Sequence, residues 1–385
     1  MDEEEEEEQK EKDGPNSDEN SSSEIEAEPP TKKIKQGESE WQEKFQCMHE
    51  HTGKNEDNPN AQTIALLQQM ADYYTQIRDP WRPLAYRRAI AELRNHPTKI
   101  TTKEEAIKLR CVGKRLADKI EEIVFTNHLR RLEHAKQEPT DKTLQVFLKI
   151  YGVGFAQASR WVEQGHRTLA DLTFKASLNA NQKIGLTHYD EFNTRIPRAE
   201  VAQHAALVRR VALSLIPDLE IYLMGSYRRG EKTCGDIDLL ITHPLFSLRK
   251  IGDFVLETLV PPLFKQGFLK ATLAASAGGD GSKWHGASCL PDATIWRRID
   301  FLLVPRQELG AALIYFTGND VFNRSLRLLA SRKGMRLNQR GLYKNVMRGP
   351  GRKKVTEGEL VEGADEQKIF DALKVPWREP KYRRP

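Results

Sequence analysis

The sequence has 385 residues, a formal net charge of +5 and only four cysteines. A chain of that length can build two or three domains with hydrophobic cores. The cysteines are scattered, which argues against a zinc site or a disulfide framework and fits a reducing compartment. No apolar stretch approaches membrane-spanning length, so we expect a soluble intracellular protein.

The charge is distributed unevenly. Residues 1–40 hold 16 Asp and Glu against 5 Lys, a net of −11, so the remaining 345 residues carry +16. A basic body of that size suggests a polyanionic partner such as nucleic acid, although an ordinary solvated surface would have the same composition. Residues 1–58 are too charged and too poor in large apolar side chains to fold, so we expect a disordered acidic tail. Within it, PTKKIK (30–35) fits either a short nuclear-import signal or an ordinary linker.

The rest of the chain predicts helical regions followed by an α+β region. Apolar residues recur at helical spacing from residue 60 to 134, and a similar pattern over 144–174 makes a weak internal repeat. After Pro197, a helix leads into the strands EIYLMGS, DIDLLITH and RRIDFLLVP. We therefore predict a multidomain α and α+β fold. Its segments are the tail (1–58), two helical domains (59–136 and 137–194), an α+β domain (195–304) and a mixed α/β domain (305–385).

Both helical domains contain two helices joined by a tight turn, CVGK at 111–114 and YGVG at 151–154. The amides of Gly113, Gly152 and Gly154 would lie at helix N-termini, where they can hold a DNA phosphate without reading bases. Glycine suits such turns because it allows close approach of the backbone and a positive φ. Each turn could also bind Na⁺ or K⁺ through its carbonyls. The alternative is that the turns only connect helices.

Two aspartates, Asp236 and Asp238, stand among Leu and Ile in the predicted strand DIDLLITH. Side chains two residues apart on a strand share a face, so these carboxylates repel each other unless a cation lies between them. Asp300, in RRIDFLLVP, adds a third acid. Such acids can bind two divalent ions that activate an attacking hydroxyl and stabilise a leaving pyrophosphate. The alternative is a turn whose acids form ion pairs with Arg297 or Arg298.

A phosphate site is predicted just before these aspartates. Gly225 and Ser226 form a strand-to-helix turn whose amides and hydroxyl suit a triphosphate. Arg229 adds a guanidinium that can bind a phosphate through two parallel hydrogen bonds. The neighbouring Arg228 is expected to point elsewhere.

These motifs resemble those of family X DNA polymerases from about residue 59 to the end of the chain. GSYRRGEKTCGDIDLLITH (225–243) resembles the family's nucleotidyltransferase signature, and LRCVGKRLADKIEEI (109–123) resembles the hairpin of its deoxyribose-phosphate lyase domain. The motifs GLTHYDEFNTRIPR, RRIDFLLV, YFTGNDVFNRSLR and VPWREP also occur in the family's order. The resemblance implies that the four folded segments are, in turn, a lyase domain, fingers, a catalytic palm and a thumb.

By this resemblance, Asp236 and Asp238 bind two Mg²⁺ or Mn²⁺ ions. Asp300 binds the catalytic ion and lies nearest the primer 3′-hydroxyl, whose proton it helps to remove. Arg298, on the same strand face as Asp300, would orient the carboxylates. The residues implied to bind the incoming nucleotide are Arg195, Ser226, Arg229, Gly235, Tyr315, Phe316, Gly318, Asp320 and Asn323.

The motif YFTGNDVFNR carries the implied sugar and base contacts. Tyr315 and Phe316 would form a wall that disfavours a ribose 2′-hydroxyl, where Gly318 lets the backbone bend toward the sugar. Asp320 would lie beneath the base and Asn323 would bond its minor-groove edge. Without the motif, the two aromatic residues would be interpreted as ordinary core.

Lys119 is the implied lyase nucleophile, attacking the aldehyde of an abasic sugar to form a Schiff base that promotes β-elimination. Such a lysine needs a pKa lowered by burial and by cations such as Arg115. Taken alone, Lys119 would be interpreted as a solvated helix lysine. RCVG (110–113) departs from the Pro-Gly usual in the family. The residues implied to hold DNA are Arg82, Tyr86, Gly113, Arg115, Arg131, Gly152, Gly154 and Arg327.

The implied function is template-directed filling of short gaps, with deoxyribose-phosphate lyase activity, in base excision repair and end joining. Gapped or broken double-stranded DNA and deoxynucleoside triphosphates would be the substrates, and excision-repair or end-joining proteins would be partners. We expect a nuclear monomer. A template-independent terminal transferase and a noncatalytic DNA-binding scaffold are the alternatives. The loop at 271–290 influences template dependence in relatives, and its sequence here leaves that dependence open.

Overall fold

The computed structural model describes residues 42, 45–48, 58–77, 79, 81–137, 139–275, 282–347, 349 and 355–383. The chain divides into two compact units, one within 52–193 and the other formed by 194–385 with the described part of 1–51. The first unit is helical and the second combines helices with sheets, which confirms the predicted multidomain α and α+β fold class. Residues 30–35, the candidate import signal, lie outside the described residues. No described helix is long and apolar enough to cross a membrane.

The first unit is built from short helices packed around two separate cores. Its helices are α1 (Ala61–Gln76), α2 (Arg82–Asn95), α3 (Lys103–Lys108), α4 (Lys114–Thr126), α5 (Arg130–Gln137), α6 (Pro139–Leu148), α7 (Phe155–Glu163), α8 (Leu169–Lys175), α9 (Ala180–Thr187) and α10 (Tyr189–Asn193). One core contains Leu67, Leu93 and Ile120, and the other contains Phe147 and Trp161. Apolar residues at helical spacing therefore bury two hydrophobic faces, one for each predicted helical domain.

The two predicted turns join α3 to α4 and α6 to α7. Gly113 and Gly154 directly precede α4 and α7, and their φ angles are −88° and −92°. The residues two positions earlier have the left-handed conformation, with φ of 65° at Cys111 and 77° at Gly152. The prediction that Gly113 and Gly154 supply a positive φ is therefore wrong, although it is correct for Gly152. At Gly113 and Gly154, the space where a Cβ would lie is open, so the backbone there can approach a ligand closely.

A reciprocal exchange at the equivalent turn positions should change stability in opposite directions. A non-glycine residue in the left-handed region costs roughly 1–2 kcal/mol, partly offset by the greater entropy of glycine in the unfolded chain. Cys111→Gly should therefore raise the free energy of unfolding by up to about 1 kcal/mol. Gly152→Cys should lower it, because the new Cβ also meets the Asn181 Cβ at 3.3 Å. Urea denaturation of both variants measures this, and a loss of stability in Cys111→Gly would contradict the assigned turn geometry.

Within its described residues, the second unit contains three sheets. Its strands are β1 (Ile196–Pro197), β2 (Glu220–Leu223), β3 (Thr233–Cys234), β4 (Ile237–Thr242), β5 (Leu269–Ala275), β6 (Lys283–Ser288), β7 (Arg297–Leu303), β8 (Arg336–Leu337), β9 (Leu342–Lys344) and β10 (Glu359–Glu362). The largest sheet has five strands in the order β2-β4-β7-β6-β5, β1 pairs with β3, and the third sheet has the order β10-β9-β8. The helices of the second unit are α11 (Arg198–Leu215), α12 (Gly225–Arg228), α13 (Leu248–Asp253), a π-helical turn (Phe254–Leu259), α14 (Val260–Lys265), α15 (Leu309–Thr317), α16 (Asp320–Arg332) and α17 (Glu366–Ala372).

The central strands β4 and β7 run parallel to each other and divide their residues between two faces. Leu239 and Phe301 are fully buried on one face, in a core shared with α11 and the helices after β4. The alternate residues Leu240 and Leu302 belong to a second cluster, which also contains the start of α15. Because side chains alternate along a strand, Asp238 and Asp300 lie on this second face. The sheet thus holds the acids on the face opposite the larger hydrophobic core.

A short segment from the predicted tail is packed in the fold. Residues 46–48 form a 3₁₀ turn, and Cys47 is fully buried in the hydrophobic core built by α15, α16 and α17. The Cys47 amide donates to the Ser325 hydroxyl at 3.1 Å, and Arg378 donates to the Cys47 carbonyl at 3.4 Å. The prediction that residues 1–58 do not fold is therefore wrong for this segment. Its few apolar side chains pack against a hydrophobic core that lies almost 300 residues further along the same chain. Local composition does not reveal such a contact.

Thiol labelling should distinguish these two descriptions of the tail. Cys47, Cys234 and Cys289 are buried and Cys111 is exposed. Ellman's reagent should therefore modify one thiol per native chain rapidly and all four after denaturation, since buried thiols are inert. Cys111→Ser should remove the rapid reaction. A second rapid thiol in the native protein, lost in Cys47→Ser, would show that the segment at 45–48 is not docked.

Candidate active site

The three predicted acids meet at one end of the central sheet. Asp238 on β4 and Asp300 on β7 are direct partners across the parallel strands, and Asp236 immediately precedes β4. Arg298 lies two residues before Asp300 on the same face and donates to an Asp236 oxygen at 3.1 Å and to the Gly235 carbonyl at 3.4 Å. Arg297, the other arginine considered as a partner, bonds Glu200 at 2.7 Å instead. The structure therefore brings together the three acids, Gly235 and Arg298.

Burial and neighbouring carboxylates raise the pKa of two of the acids, Asp236 and Asp238. Burial, followed by the charges of Asp236 and Asp300, raises the pKa of Asp238 to about 8. Burial also raises the pKa of Asp236, against the opposing effect of Arg298. Acids that are costly to ionise together require a compensating positive charge. This electrostatic environment fits a divalent cation.

The donor set fits Mg²⁺ or Mn²⁺, because both ions prefer carboxylate oxygens. Within the described residues, no three His, Cys, Asp or Glu side chains already surround a common point. Arg298 holds one of the acids, and His285 on β6 holds another through a 2.9 Å contact from its Nδ1 to an Asp300 oxygen. Binding a cation therefore requires the carboxylates to adjust around it.

Gly225 makes the turn before α12 possible for two reasons. Its φ of 56° favours glycine, and a Cβ at this position would lie 2.3 Å from an Asp238 oxygen. The Met224 amide also donates to the Asp238 carbonyl at 2.9 Å. A side chain at residue 225 would displace the acid, so the turn and the carboxylates depend on each other. Ser226, the next residue, is partly buried beside them.

Two predicted nucleotide-binding arginines, Arg195 and Arg229, contact different segments. Arg195 is exposed and donates to the Thr233 hydroxyl at 2.7 Å. Burial raises the pKa of Asp236, and the charge of Arg195 opposes that rise. Arg229 donates to the Thr317 carbonyl at 2.6 Å, next to Gly318, whose φ is 66°. The structure thus connects the turn after Gly225 with the YFTG segment at the end of α15.

The YFTG segment and α16 form a partly buried aromatic and polar cluster. Tyr315 and Phe316 are edge to face with ring centroids 4.9 Å apart, and the Arg327 guanidinium lies 4.9 Å from the Tyr315 ring centroid. Asn323 donates its amide to the Tyr315 carbonyl at 2.7 Å, so this donor is already used within the protein. Asp320 is exposed in the first turn of α16. Tyr315, Asn323 and Arg327 also line a small pocket with Asn338.

A buried ion cluster, which the sequence pattern did not reveal, supports the YFTG segment. Arg228 points away from the acids, as predicted, and donates to Glu366 on α17 at 2.8 and 3.1 Å. The same Arg228 also bonds the Thr317 hydroxyl. Arg383 is fully buried, bonds Glu366 at 2.5 Å and lies 5.1 Å from the Phe370 ring centroid. Glu366 on α17 therefore connects Arg228 at the end of α12 with Arg383 near the end of the chain.

The first unit brings together most of the predicted lyase residues. Lys119 donates to the Arg115 carbonyl at 3.1 Å. Burial lowers its pKa, an effect that Glu122 and Asp118 oppose and that Arg115 and Arg131 reinforce. Tyr86 is buried, and Arg131 acts electrostatically on both Tyr86 and Lys119. The predicted Arg82 and Arg131 are linked to Tyr86 through Tyr74, a buried residue that the sequence analysis missed.

Comparisons with known proteins define the class of protein. Four family models match the chain in order along its length. They are a helix-hairpin-helix domain (58–129), the fingers domain of DNA polymerase lambda (145–193), the DNA polymerase beta palm (195–306) and the DNA polymerase beta thumb (312–384). Together they account for most of the sequence, so the chain belongs to the X family of DNA polymerases.

Within this family, the chain is similar to DNA polymerases lambda and IV. The chain is 38% identical over 328 residues to DNA polymerase lambda of Rattus norvegicus, a match covering 85% of this chain and 56% of the relative. It is 36% identical over 330 residues to DNA polymerase lambda of Arabidopsis thaliana, covering 84% and 62%. It is 24% identical over 443 residues to DNA polymerase IV of Saccharomyces cerevisiae, covering 93% and 71%. The chain therefore spans somewhat more than half the length of the two lambda polymerases.

Proposed function

We propose that this chain is a template-directed DNA polymerase that fills short gaps and also removes 5′-deoxyribose phosphate. The observation that carries the proposal is the alignment of Asp238 with Asp300 on parallel strands, with Asp236 immediately before the first, inside the region matched by a polymerase palm. Three acids in such an arrangement suit nucleotidyl transfer assisted by two divalent cations. Deoxynucleoside triphosphates and gapped or broken double-stranded DNA are the proposed substrates.

In the proposed reaction, the acids and their neighbours have separate tasks. Two Mg²⁺ or Mn²⁺ ions held by Asp236, Asp238 and Asp300 would lower the pKa of the primer 3′-hydroxyl and neutralise charge on the departing pyrophosphate. Asp300 accepts the proton of that hydroxyl. Arg298 keeps Asp236 in place by the hydrogen bond that it already makes.

The nucleotide is held by the residues around the Gly225 turn and the YFTG segment. Arg195, Ser226, Arg229 and the Gly235 amide would bind the triphosphate. Tyr315, Phe316 and Gly318 would exclude a ribose 2′-hydroxyl, with Asp320 beneath the base, Asn323 on its minor-groove edge and Arg327 on the template strand. A guanidinium has five N–H donors and an amide nitrogen has two, so the hydrogen bonds of Arg229 and Asn323 to the Thr317 and Tyr315 carbonyls do not by themselves prevent binding.

The proposed lyase reaction uses Lys119. Its neutral amine attacks the C1′ aldehyde of the abasic sugar, water leaves, and a Schiff base forms. The Schiff base acidifies the C2′ hydrogen, and its loss expels the 3′ phosphate oxygen by β-elimination. The lowered pKa of Lys119 supports this role because it increases the fraction of neutral amine. Arg82, Tyr86, Arg115 and Arg131 would hold the 5′-phosphate end.

The hairpin turns supply contacts that do not depend on base sequence. The amides of Gly113, Gly152 and Gly154 would hold DNA phosphates, and Na⁺ or K⁺ on the turn carbonyls would strengthen that grip. The open space at Gly113 and Gly154 supports close approach of a DNA backbone. The +16 charge outside the first 40 residues supports the same partner.

The domain boundaries and cellular role are also part of the proposal. We propose a lyase domain at 59–136, fingers at 137–194, a palm at 195–304 and a thumb at 305–385. Base excision repair and end joining in the nucleus, with repair proteins as partners of a monomeric enzyme, are consistent with the lambda polymerases among its relatives.

Incorporation of nucleotides tests the proposal directly. The purified protein with Mg²⁺ is given a one-nucleotide gap bearing a 5′-phosphate or, separately, a single strand without template. We expect insertion of only the complementary deoxynucleotide into the gap. Extension of the single strand would instead indicate a terminal transferase, and no incorporation on either DNA would indicate a noncatalytic scaffold.

A further inference from the structure

His285 occupies a position next to the acids that the established motifs do not assign. It lies on β6 directly opposite Asp300 in the antiparallel register, while Asp238 is the partner of Asp300 on the other side. The three residues therefore form one row across three neighbouring strands. The His285 Nδ1 is 2.9 Å from an Asp300 oxygen, Oδ1, in a part of the sheet where both side chains are partly buried.

The hydrogen bond from His285 opposes the repulsion among the three carboxylates. Asp238 and Asp236 repel a third carboxylate, which would turn away from them if nothing held it. Arg298 contacts Asp236, whereas Asp300 is held by the imidazole. A carboxylate has two oxygens, so a bond to Oδ1 leaves Oδ2 able to bind a cation. Hydrogen bonds of this kind commonly fix the orientation of metal-binding carboxylates.

We propose that His285 is a positioning residue that holds Asp300 ready to bind a divalent cation, an inference that rests on the proposed polymerase function. The hydrogen bond requires a proton on Nδ1, which the neutral imidazole can carry as well as the charged one. The opposite possibility is that the His285 imidazole competes with the cation for the Asp300 carboxylate. The two possibilities predict opposite changes in cation affinity when the imidazole is removed. Positioning predicts weaker binding, whereas competition predicts tighter binding.

Three substitutions isolate the contact. His285→Leu removes the donor but keeps an apolar side chain of similar size. His285→Asn places an amide near the position of Nδ1, whereas His285→Gln places one nearer the position of Nε2. Lys283→Leu, on the same strand face, is the control for loss of nearby positive charge without loss of the hydrogen bond. Thermal unfolding of each variant checks that the sheet is intact.

Mn²⁺ affinity is measured by electron paramagnetic resonance on the full chain, without DNA or nucleotide. We expect His285→Leu and His285→Gln to weaken Mn²⁺ binding by roughly 10-fold or more, which is the range for loss of an outer hydrogen-bond partner. His285→Asn should restore most of the affinity, and Lys283→Leu should not weaken it. Single-nucleotide gap filling should show a matching fall in kcat with little change in KM for the nucleotide.

Unchanged or tighter Mn²⁺ binding in His285→Leu would overturn the inference, as would failure of the wild-type chain to bind Mn²⁺ or failure of His285→Asn to restore affinity. If His285→Leu does not fold, the comparison of Asn with Gln still decides the question. Mn²⁺ binding requires no catalysis. A wild-type protein that binds Mn²⁺ but does not extend DNA would contradict the proposed function and leave the test of His285 intact.

Discussion

Asp238→Asn is expected to abolish nucleotide incorporation and yet stabilise the metal-free protein. Loss of this carboxylate removes several kcal/mol of cation-mediated charge stabilisation, which corresponds to roughly a 1,000-fold or greater fall in rate. Single-turnover gap filling with Mg²⁺ measures the rate. Asp253→Asn, on the exposed end of α13, is the matched control and should be as active as the wild type.

The stabilisation follows from the raised pKa of Asp238. An unfolded aspartate has a pKa of about 3.9, and the fold raises the Asp238 value to about 8. Between these values the folded protein binds a proton that the unfolded chain has released, so metal-free stability falls as pH rises. Asparagine carries no charge and avoids this loss. In EDTA at pH 8 the variant should therefore have a higher Tm than the wild type, and the difference should disappear near pH 4. An equal Tm at pH 8 would contradict the proposed repulsion among the acids.

Glu366→Gln is expected to cause the largest loss of stability. Glu366 is the shared acceptor for Arg228 and Arg383, and hydrogen bonds from Arg228 together with the charge of Arg383 lower its pKa despite the opposing effect of burial. Removing its charge leaves two neighbouring guanidinium groups uncompensated, one of them fully buried. Breaking a buried ion cluster in this way typically costs about 3–5 kcal/mol. Urea denaturation of the purified variant measures the change.

A surface ion pair in the same unit provides the control. Glu359 is 63% exposed and lies 3.5 Å from the Lys344 ammonium. Glu359→Gln should change stability far less than Glu366→Gln, since exposed ion pairs contribute little. Similar losses in the two variants would show that the buried cluster is not a distinct source of stability.

The sequence allowed the acids and their strands to be predicted because strand periodicity and motif spacing are local. DIDLLITH and RRIDFLLVP became β4 and β7, and their acids are paired in register. The roles of these side chains remain proposals. The pairing of β6 with β7 could not be read from the sequence, so His285 was not recognised as a neighbour of Asp300. The stretch at 271–290 was predicted to be a loop, which is wrong for residues 271–275, in β5, and for residues 283–288, which form β6.

Other features depended on contacts between distant parts of the chain. Cys47 is buried because the core around α16 covers it, and the charged composition of the tail concealed this. Glu366 and Arg228 are separated by 138 residues, so nothing local distinguished either from a surface charge. The positive φ of Cys111 was missed because a glycine stood nearby and was given that role. For Cys47 and for the Arg228–Glu366 pair, contacts between distant parts of the chain outweighed local preference.

We propose that this chain holds two active sites that work independently, one for polymerisation and one for the lyase reaction. The most direct test uses a one-nucleotide gap with a 5′-deoxyribose phosphate, labelled separately on the primer and the downstream strand. Lys119→Ala should extend the primer but lose both sugar-phosphate release and the borohydride-trapped covalent complex, whereas Asp300→Ala should show the reverse. Lys114→Ala, on the same helix as Lys119, controls for loss of charge. Undiminished sugar-phosphate release by Lys119→Ala, or primer extension by Asp300→Ala at the wild-type rate, would contradict the proposed pair of sites.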